Sequence, residues 1–218
     1  MNPLGKALTT VLHRLPAGEP IPVALSGGLD SWVLALLLRR AGFSVRGITL
    51  VSNVPGYCEY EQVVSRALKF GFELEPIPAE PFESALPRFL AITKTPIYNL
   101  HPVSKLLLAE GAAARGIPCL VTGDAADQVF RCETNCDLLP LTQACFRHEG
   151  VELVTPFLSA EAGALCTRPD PDKGLLRELA VALGIPNTPK IPTIYPGESI
   201  LARTKQIIEA LTCAASPA

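Results

Sequence analysis

The stretch Val23 to Leu37, VALSGGLDSWVLALL, sets two glycines, two hydroxyls and one carboxylate between two apolar runs of different period. Ser26, Gly27 and Gly28 leave backbone N–H groups free, and the glycines carry no Cβ to hold a ligand off. The natural guest of such a loop is a phosphate. The loop is neither G-x-x-x-x-G-K-S/T nor G-x-G-x-x-G and contains no lysine, so the positive charge that a phosphate requires must come from elsewhere in the chain. Asp30 would repel that guest if it stood alone, which assigns it the task of holding a divalent cation that bridges the phosphates. A plain strand-to-helix turn with Asp30 facing the helix dipole would use the same residue types. Strand, loop and helix nevertheless fall where phosphate binding needs them.

The elements that must position this loop follow from periodicity. Pro22 to Leu25 is a short apolar run bounded by turn formers, which suits a buried strand, and Asp30 to Arg40 is a helix apolar on most sides, to be covered on more than one face. Before them, Leu4, Ala7, Leu8, Val11 and Leu12 mark an amphipathic helix over 3–14, ended by the loop Pro16 to Pro20. After them come strands at Val45 to Val51, Phe72 to Ile77 and Pro118 to Thr122. Between these lie a helix at Glu59 to Phe70, with Val63, Val64, Ala67, Leu68 and Phe70 inward, and a second at Pro102 to Arg115. Alternation at this spacing predicts an α/β fold, a doubly wound parallel sheet with helices on both faces. Beyond Gly123 the periodicity predicts helices over 137–147, 172–183 and 198–211. The expectation is one domain, a sheet core over about 1–130 carrying a helical C-terminal lobe over about 131–218.

Composition agrees with one domain: 218 residues at 48% hydrophobic content bury a single sizeable core. Lys plus Arg number 19 against 21 Asp plus Glu, so the bulk charge recommends neither a nucleic acid nor a membrane surface as partner. The N-terminus lacks the h-region and cleavage site of a signal peptide, and no segment approaches the roughly 18 apolar residues of a membrane span. The expected location is cytoplasmic, where Cys58, Cys119, Cys132, Cys136, Cys145, Cys166 and Cys213 are thiols rather than a disulfide framework. A mean hydropathy of +0.29 predicts a buried interface, in a homo- or hetero-oligomer.

SGGLDS after an apolar strand resembles the PP-loop of the N-type ATP pyrophosphatases, which split ATP between its α and β phosphates, and whose fold is adenine nucleotide alpha hydrolase-like. Within that superfamily Val121 to Phe130, VTGDAADQVF, resembles the G-E-G-A/S-D-E-L-F segment of asparagine synthetases. In order, Thr155 to Leu158 resembles R-x-P-F-L-D, Lys173 to Glu178 resembles K-x-x-L-R-E, and Ile185-Pro186 with Pro189-Lys190 resembles L-P with a later R-x-K. The resemblance implies an ATP- and Mg2+-dependent ligase that adenylates a small-molecule carboxylate, releases pyrophosphate and passes the acyl group to ammonia or an amine. It implies that Ser26, Gly27, Gly28 and Ser31 grip the pyrophosphate, that Asp30 and Asp127 hold magnesium, and that main chain at Leu50, Val51 and Gly123 meets the adenosine. Lys190, or alternatively Lys173, would stabilise the leaving pyrophosphate. Asp124 stands where the family places a residue that handles the proton of the attacking nitrogen.

The departures are specific. Asp124 replaces Glu and is shorter by one methylene, Gln128 replaces an acid, and Ser159 replaces Asp, which implies a changed substrate or lost turnover. The chain starts at Met1-Asn2 without the family's glutaminase domain and its N-terminal cysteine, so a separate glutaminase or other ammonia-supplying protein is the expected partner. Loops from Asn53 to Tyr57 and Lys94 to His101 are expected to select the acyl substrate. Two alternatives accompany this reading: a PP-loop sulfurtransferase using Cys132, Cys136 and Cys145, and a non-catalytic nucleotide-binding subunit of a larger synthetase complex. C-x3-C lacks the C-x2-C pitch of common zinc and cluster sites.

Overall fold

The structure is a computed structural model and describes residues 2–16, 18–52, 59–131, 138–170, 172–186 and 197–214. Five strands, β1 (Ile21–Ala24), β2 (Val45–Val51), β3 (Glu73–Pro78), β4 (Cys119–Val121) and β5 (Glu152–Val154), form one sheet in the order β3-β2-β1-β4-β5. Every pairing is parallel; Val23 of β1 faces Gly47 of β2 on one side and Val121 of β4 on the other. The chain therefore winds outward through β2 and β3, then returns across β1 to lay down β4 and β5. The direction reverses at β1, and in such sheets the crevice for a ligand opens beyond the carboxyl ends of the strands flanking that reversal.

Two helical layers cover the sheet. Helices α1 (Pro3–Leu12), α2 (Leu29–Arg40), α3 (Tyr60–Phe70), α8 (Ala160–Gly163) and α9 (Gly174–Ala182) contribute to one core cluster, which contains Leu4, Leu8, Trp32, Val63 and Leu179. Helices α4 (Phe82–Thr93), α5 (Val103–Ala113), α7 (Leu138–His148) and α10 (Gly197–Ala214) build a second, around Phe82, Phe89, Leu106 and Cys145. The short α6 (Ala126–Arg131) follows β4 directly. In α2 every residue from Ser31 to Leu38 is buried, as an all-round apolar helix requires, because α1 and α9 cover the sides that the sheet leaves open. No helix among the described residues is long and apolar enough to cross a membrane.

The α/β class, the four expected strands and the helices over the two halves are present, with ends displaced by a few residues. The wholly helical reading of the C-terminal part needs correction. Its segment Glu152–Val154 is a fifth parallel strand, paired Cys119 to Glu152 and Val121 to Val154, and its length of three residues is too short to leave an alternating pattern. Helix α4 was also unanticipated; Pro87 sits inside it, while Phe82, Leu86, Phe89 and Leu90 supply the buried stripe. On α3 the expected inward Leu68 is 78% exposed, whereas Arg66 is 4% exposed. The helix turns its guanidinium toward the loop after β1 and gives up an apolar contact to do so.

Packing between α5 and β3 depends on Gly111, where a Cβ would lie 2.4 Å from Ile77 Cγ2. Gly111→Ala is expected to lower stability by about 1–3 kcal/mol despite its better helix propensity, because the β-branched Ile77 cannot yield at Cγ2. Chemical denaturation read against the unaltered protein checks this.

Candidate active site

The loop after β1 is held from beneath. The fully buried Trp32 donates its indole N–H to the Ser26 carbonyl at 2.7 Å, and Arg66 Nη1 donates to the Gly27 carbonyl at 2.7 Å and the Gly28 carbonyl at 3.4 Å. A trans peptide points its C=O and N–H in opposite directions. Holding the Gly27 and Gly28 carbonyls on the α3 side therefore turns the N–H groups of Gly28 and Leu29 away from Arg66, at the start of α2. The Ser26 N–H donates to Ser31 Oγ at 3.2 Å and the Gly28 N–H to Ser26 Oγ at 3.2 Å, so Ser26, Gly28 and Ser31 form one interlocked turn. Burial holds the Arg66 pKa below its usual value, with the Glu59 carboxylate pulling it back up.

The Gly27 N–H is already engaged: Glu59, at the N-cap of α3, accepts it at Oε2 over 2.8 Å. An anion thus sits on one of the donors that a phosphate would use. Neither Glu59 nor Arg66 was picked out from the sequence. Both look there like ordinary surface charges of an amphipathic helix, and only the burial of Arg66 distinguishes it.

A second convergence joins distant parts of the chain. Asp30, in the first turn of α2, and Asp127, in the first turn of α6, meet at the ammonium of Lys173, which lies 3.1 and 3.0 Å from the Asp30 oxygens and 2.8 Å from Asp127 Oδ1. The approach depends on Gly123 at the end of β4, where a Cβ would stand 2.7 Å from the Ser31 nitrogen and 2.9 Å from Asp30 Cβ. Lys173 itself adopts the left-handed conformation, φ +52°, at the N-cap of α9. Two carboxylates focused on one point suit a hard divalent cation that takes its remaining ligands from phosphate oxygens and water. Among the described residues no group of three or more His, Cys, Asp or Glu gathers as a self-sufficient metal cage.

Asp124 faces away from that cluster toward Lys105 of α5, with Nζ and Oδ1 2.6 Å apart and both side chains largely buried. Burial works against its charge, but the Lys105 ammonium and the bond it donates outweigh this and hold the Asp124 carboxyl below the usual carboxylate range. The Thr122 hydroxyl and His101 act in the same direction, although Thr122 Oγ1 does not reach hydrogen-bonding geometry. Asp124 Oδ2 is buried and has no hydrogen-bond partner among the described residues. Lys105 was not anticipated, since it reads as the polar face of an Ala/Leu helix.

Other expected residues fall as follows. Leu50 and Val51 end β2 beside the loop, with the Val51 carbonyl accepting from Ala79 at 2.8 Å. Of the loop Lys94 to His101, His101 acts electrostatically on Asp124, while Ile97 and Leu100 are buried in the cluster of α4, α5, α7 and α10. Lys190, Cys132, Cys136 and the loop Asn53 to Tyr57 lie outside the described residues. Cys145 is buried in the second core cluster and its thiol is pushed up to about 12, chiefly by burial, so at neutral pH it is an inert core thiol. A separate groove between α4, α5 and α7, lined by Arg88, Ile92, Glu110, Arg147 and His148, shares no residue with the strand-end site.

An all-parallel sheet that reverses at β1, with an anion-ready loop and paired carboxylates at that reversal, defines an α/β nucleotide-hydrolase-like domain. The family model described as asparagine synthase matches residues 6–182 of the 218, and the chain belongs to that family, whose members are ATP-dependent, amide-forming ligases.

Asp124 supplies a test with a definite sign. In the unaltered protein its carboxyl titrates lower when folded than when unfolded, so its contribution is present above the ordinary carboxylate range and is lost as pH falls through the folded value. Lys105→Met removes the partner and leaves a buried unpaired carboxylate, expected to cost about 3 kcal/mol at neutral pH. That loss should shrink as pH is lowered and the carboxyl protonates, opposite to the unaltered protein. Denaturation curves of both proteins at pH 7 and pH 5 check this: the gap between them should narrow at pH 5, because both values lie above the range in which the unaltered protein loses its Asp124 contribution, and that opposite loss is read on further acidification.

Proposed function

We propose that the protein is an ATP-dependent carbon–nitrogen ligase that adenylates the carboxylate of a small molecule, releases AMP and pyrophosphate, and transfers the acyl group to ammonia or an amine. The observation that carries this reading is the meeting of Asp30 and Asp127 at one cationic point beside the loop after β1, at the start of α2. A carboxylate oxygen attacks the α-phosphorus of ATP, the bond to the bridging oxygen breaks, and pyrophosphate leaves with the electron pair. Ser26, Gly27, Gly28 and Ser31 hold that pyrophosphate, and the N-terminus of α2 contributes its positive end. Leu50, Val51 and Gly123 lie at the strand ends where the adenosine would rest.

Asp30 and Asp127 would hold Mg2+, which supplies charge neutralisation of the phosphates when bound. Lys173 then places its ammonium on the leaving group, and Lys190 is retained as a second candidate through the family motif alone. Asp124, ionised and fixed by Lys105, has Oδ2 left as acceptor for an N–H of the attacking nitrogen. Such a carboxylate orients an amine better than it deprotonates one, because its proton affinity is low. The nitrogen source is assigned to ammonia delivered by a separate protein or to an amine of the substrate, and a cytoplasmic, oligomeric enzyme fits this chemistry.

Incubation with ATP, magnesium and a panel of carboxylic acids is expected to yield AMP and pyrophosphate, with Asp30→Asn and Asp127→Asn each lowering the rate on the order of 10²-fold. Release of ADP and phosphate would rule the reaction out. Tight ATP binding without AMP formation, with every acid and amine supplied, would mark a nucleotide-binding subunit instead.

A further inference from the structure

We propose that Glu59 is a built-in competitor of the phosphate chain, a carboxylate that occupies the Gly27 N–H in the unliganded protein and withdraws when a polyphosphate binds. This rests on the reading that the loop after β1 binds pyrophosphate. The Gly27 N–H donates to Glu59 Oε2 at 2.8 Å, the distance and charge that a phosphate oxygen would adopt on the same donor. The two anions exclude each other. A Cβ built on Gly27 would lie 2.9 Å from the Glu59 carboxyl carbon and 2.9 Å from Gln62 Oε1, so those side chains already fill the space over the glycine. Like charges at such separation also repel strongly outside bulk water.

The placement of Glu59 makes the exchange inexpensive. It occupies the N-cap position of α3, yet its side chain makes no capping bond to its own helix. Its hydrogen bond to the loop is the one it accepts from Gly27. Gln62, one turn on, has its Oε1 buried beside the same glycine and without a hydrogen-bond partner among the described residues. Arg66 beneath the loop is neutralised in part by Glu59 while the contact holds. Withdrawal of Glu59 returns that charge to the loop, which contains no lysine of its own, at the moment a phosphate arrives.

Isothermal titration of the full chain with magnesium pyrophosphate tests this. Glu59→Gln keeps the shape and removes the charge, and is expected to bind about tenfold more tightly than the unaltered protein, the effect of losing one charge-assisted competitor. Equal or weaker binding by Glu59→Gln overturns the proposal and leaves phosphate binding at the loop intact, with Glu59 a fixed part of the turn. Failure of both proteins to bind pyrophosphate overturns the phosphate reading and this inference with it. A second measurement needs no variant: on titrating the unaltered protein, the side-chain carboxyl 13C resonance of Glu59 and the amide of Gly27 should shift together. Movement of Gly27 with a stationary Glu59 also overturns the proposal.

Discussion

Two carboxylates cannot approach one point without a cation to hold them there, and the structure answers that constraint with the Lys173 ammonium between Asp30 and Asp127. That contact ties the start of α2, the start of α6 and the start of α9 into one assembly, although the three residues are far apart in sequence. Lys173 and Asp30 are mostly shielded from water while Asp127 is 44% exposed, so the Lys173–Asp30 attraction is the stronger of the two and the Lys173–Asp127 pair is closer to a surface pair. The contact also leaves the trio one charge short of neutrality, since two carboxylates face one ammonium. A divalent cation carried in with a polyphosphate would meet the remainder, which is how a structural ion pair and a metal-binding pair can be the same residues.

The backbone makes that approach possible through what it lacks. Gly123 brings the end of β4 against the first turn of α2 at a distance no side chain would permit. Gly27 does the same for the first turn of α3, where Glu59 and Gln62 close over it. The loop is thus gripped on its carbonyl side by Trp32 and Arg66 and on its amide side by Ser31, Glu59 and Ser26, and the apolar packing of α2 between the sheet, α1 and α9 keeps the whole turn from shifting.

Charge is distributed so that each anion near the crevice has a named cation: Asp30 and Asp127 have Lys173, Asp124 has Lys105, and Glu59 has the Gly27 amide with Arg66 beneath. At position 124 the aspartate reaches Lys105 of α5 at 2.6 Å, and that pairing keeps its carboxyl below the usual carboxylate range despite burial.

Much of this was legible in the residues themselves. Alternating apolar runs and turn formers determined the α/β class, and SGGLDS with GDAAD pointed to phosphate and cation chemistry and to the family, because the small residues, hydroxyls and carboxylates such chemistry needs are written locally. What surrounds them was decided only by the tertiary structure. Arg66 and Lys105 look in sequence like solvated faces of helices, and they acquire meaning because α3 and α5 are rotated to bury them against loops from other strands. Strand β5 exists because β4 has an open edge for it, and Leu68 is exposed because the inward position went to a charge. Local sequence specifies what a segment can form and which chemistry it can offer; which partner meets each charge depends on contacts between segments distant in the chain, and those are settled when the sheet reverses at β1.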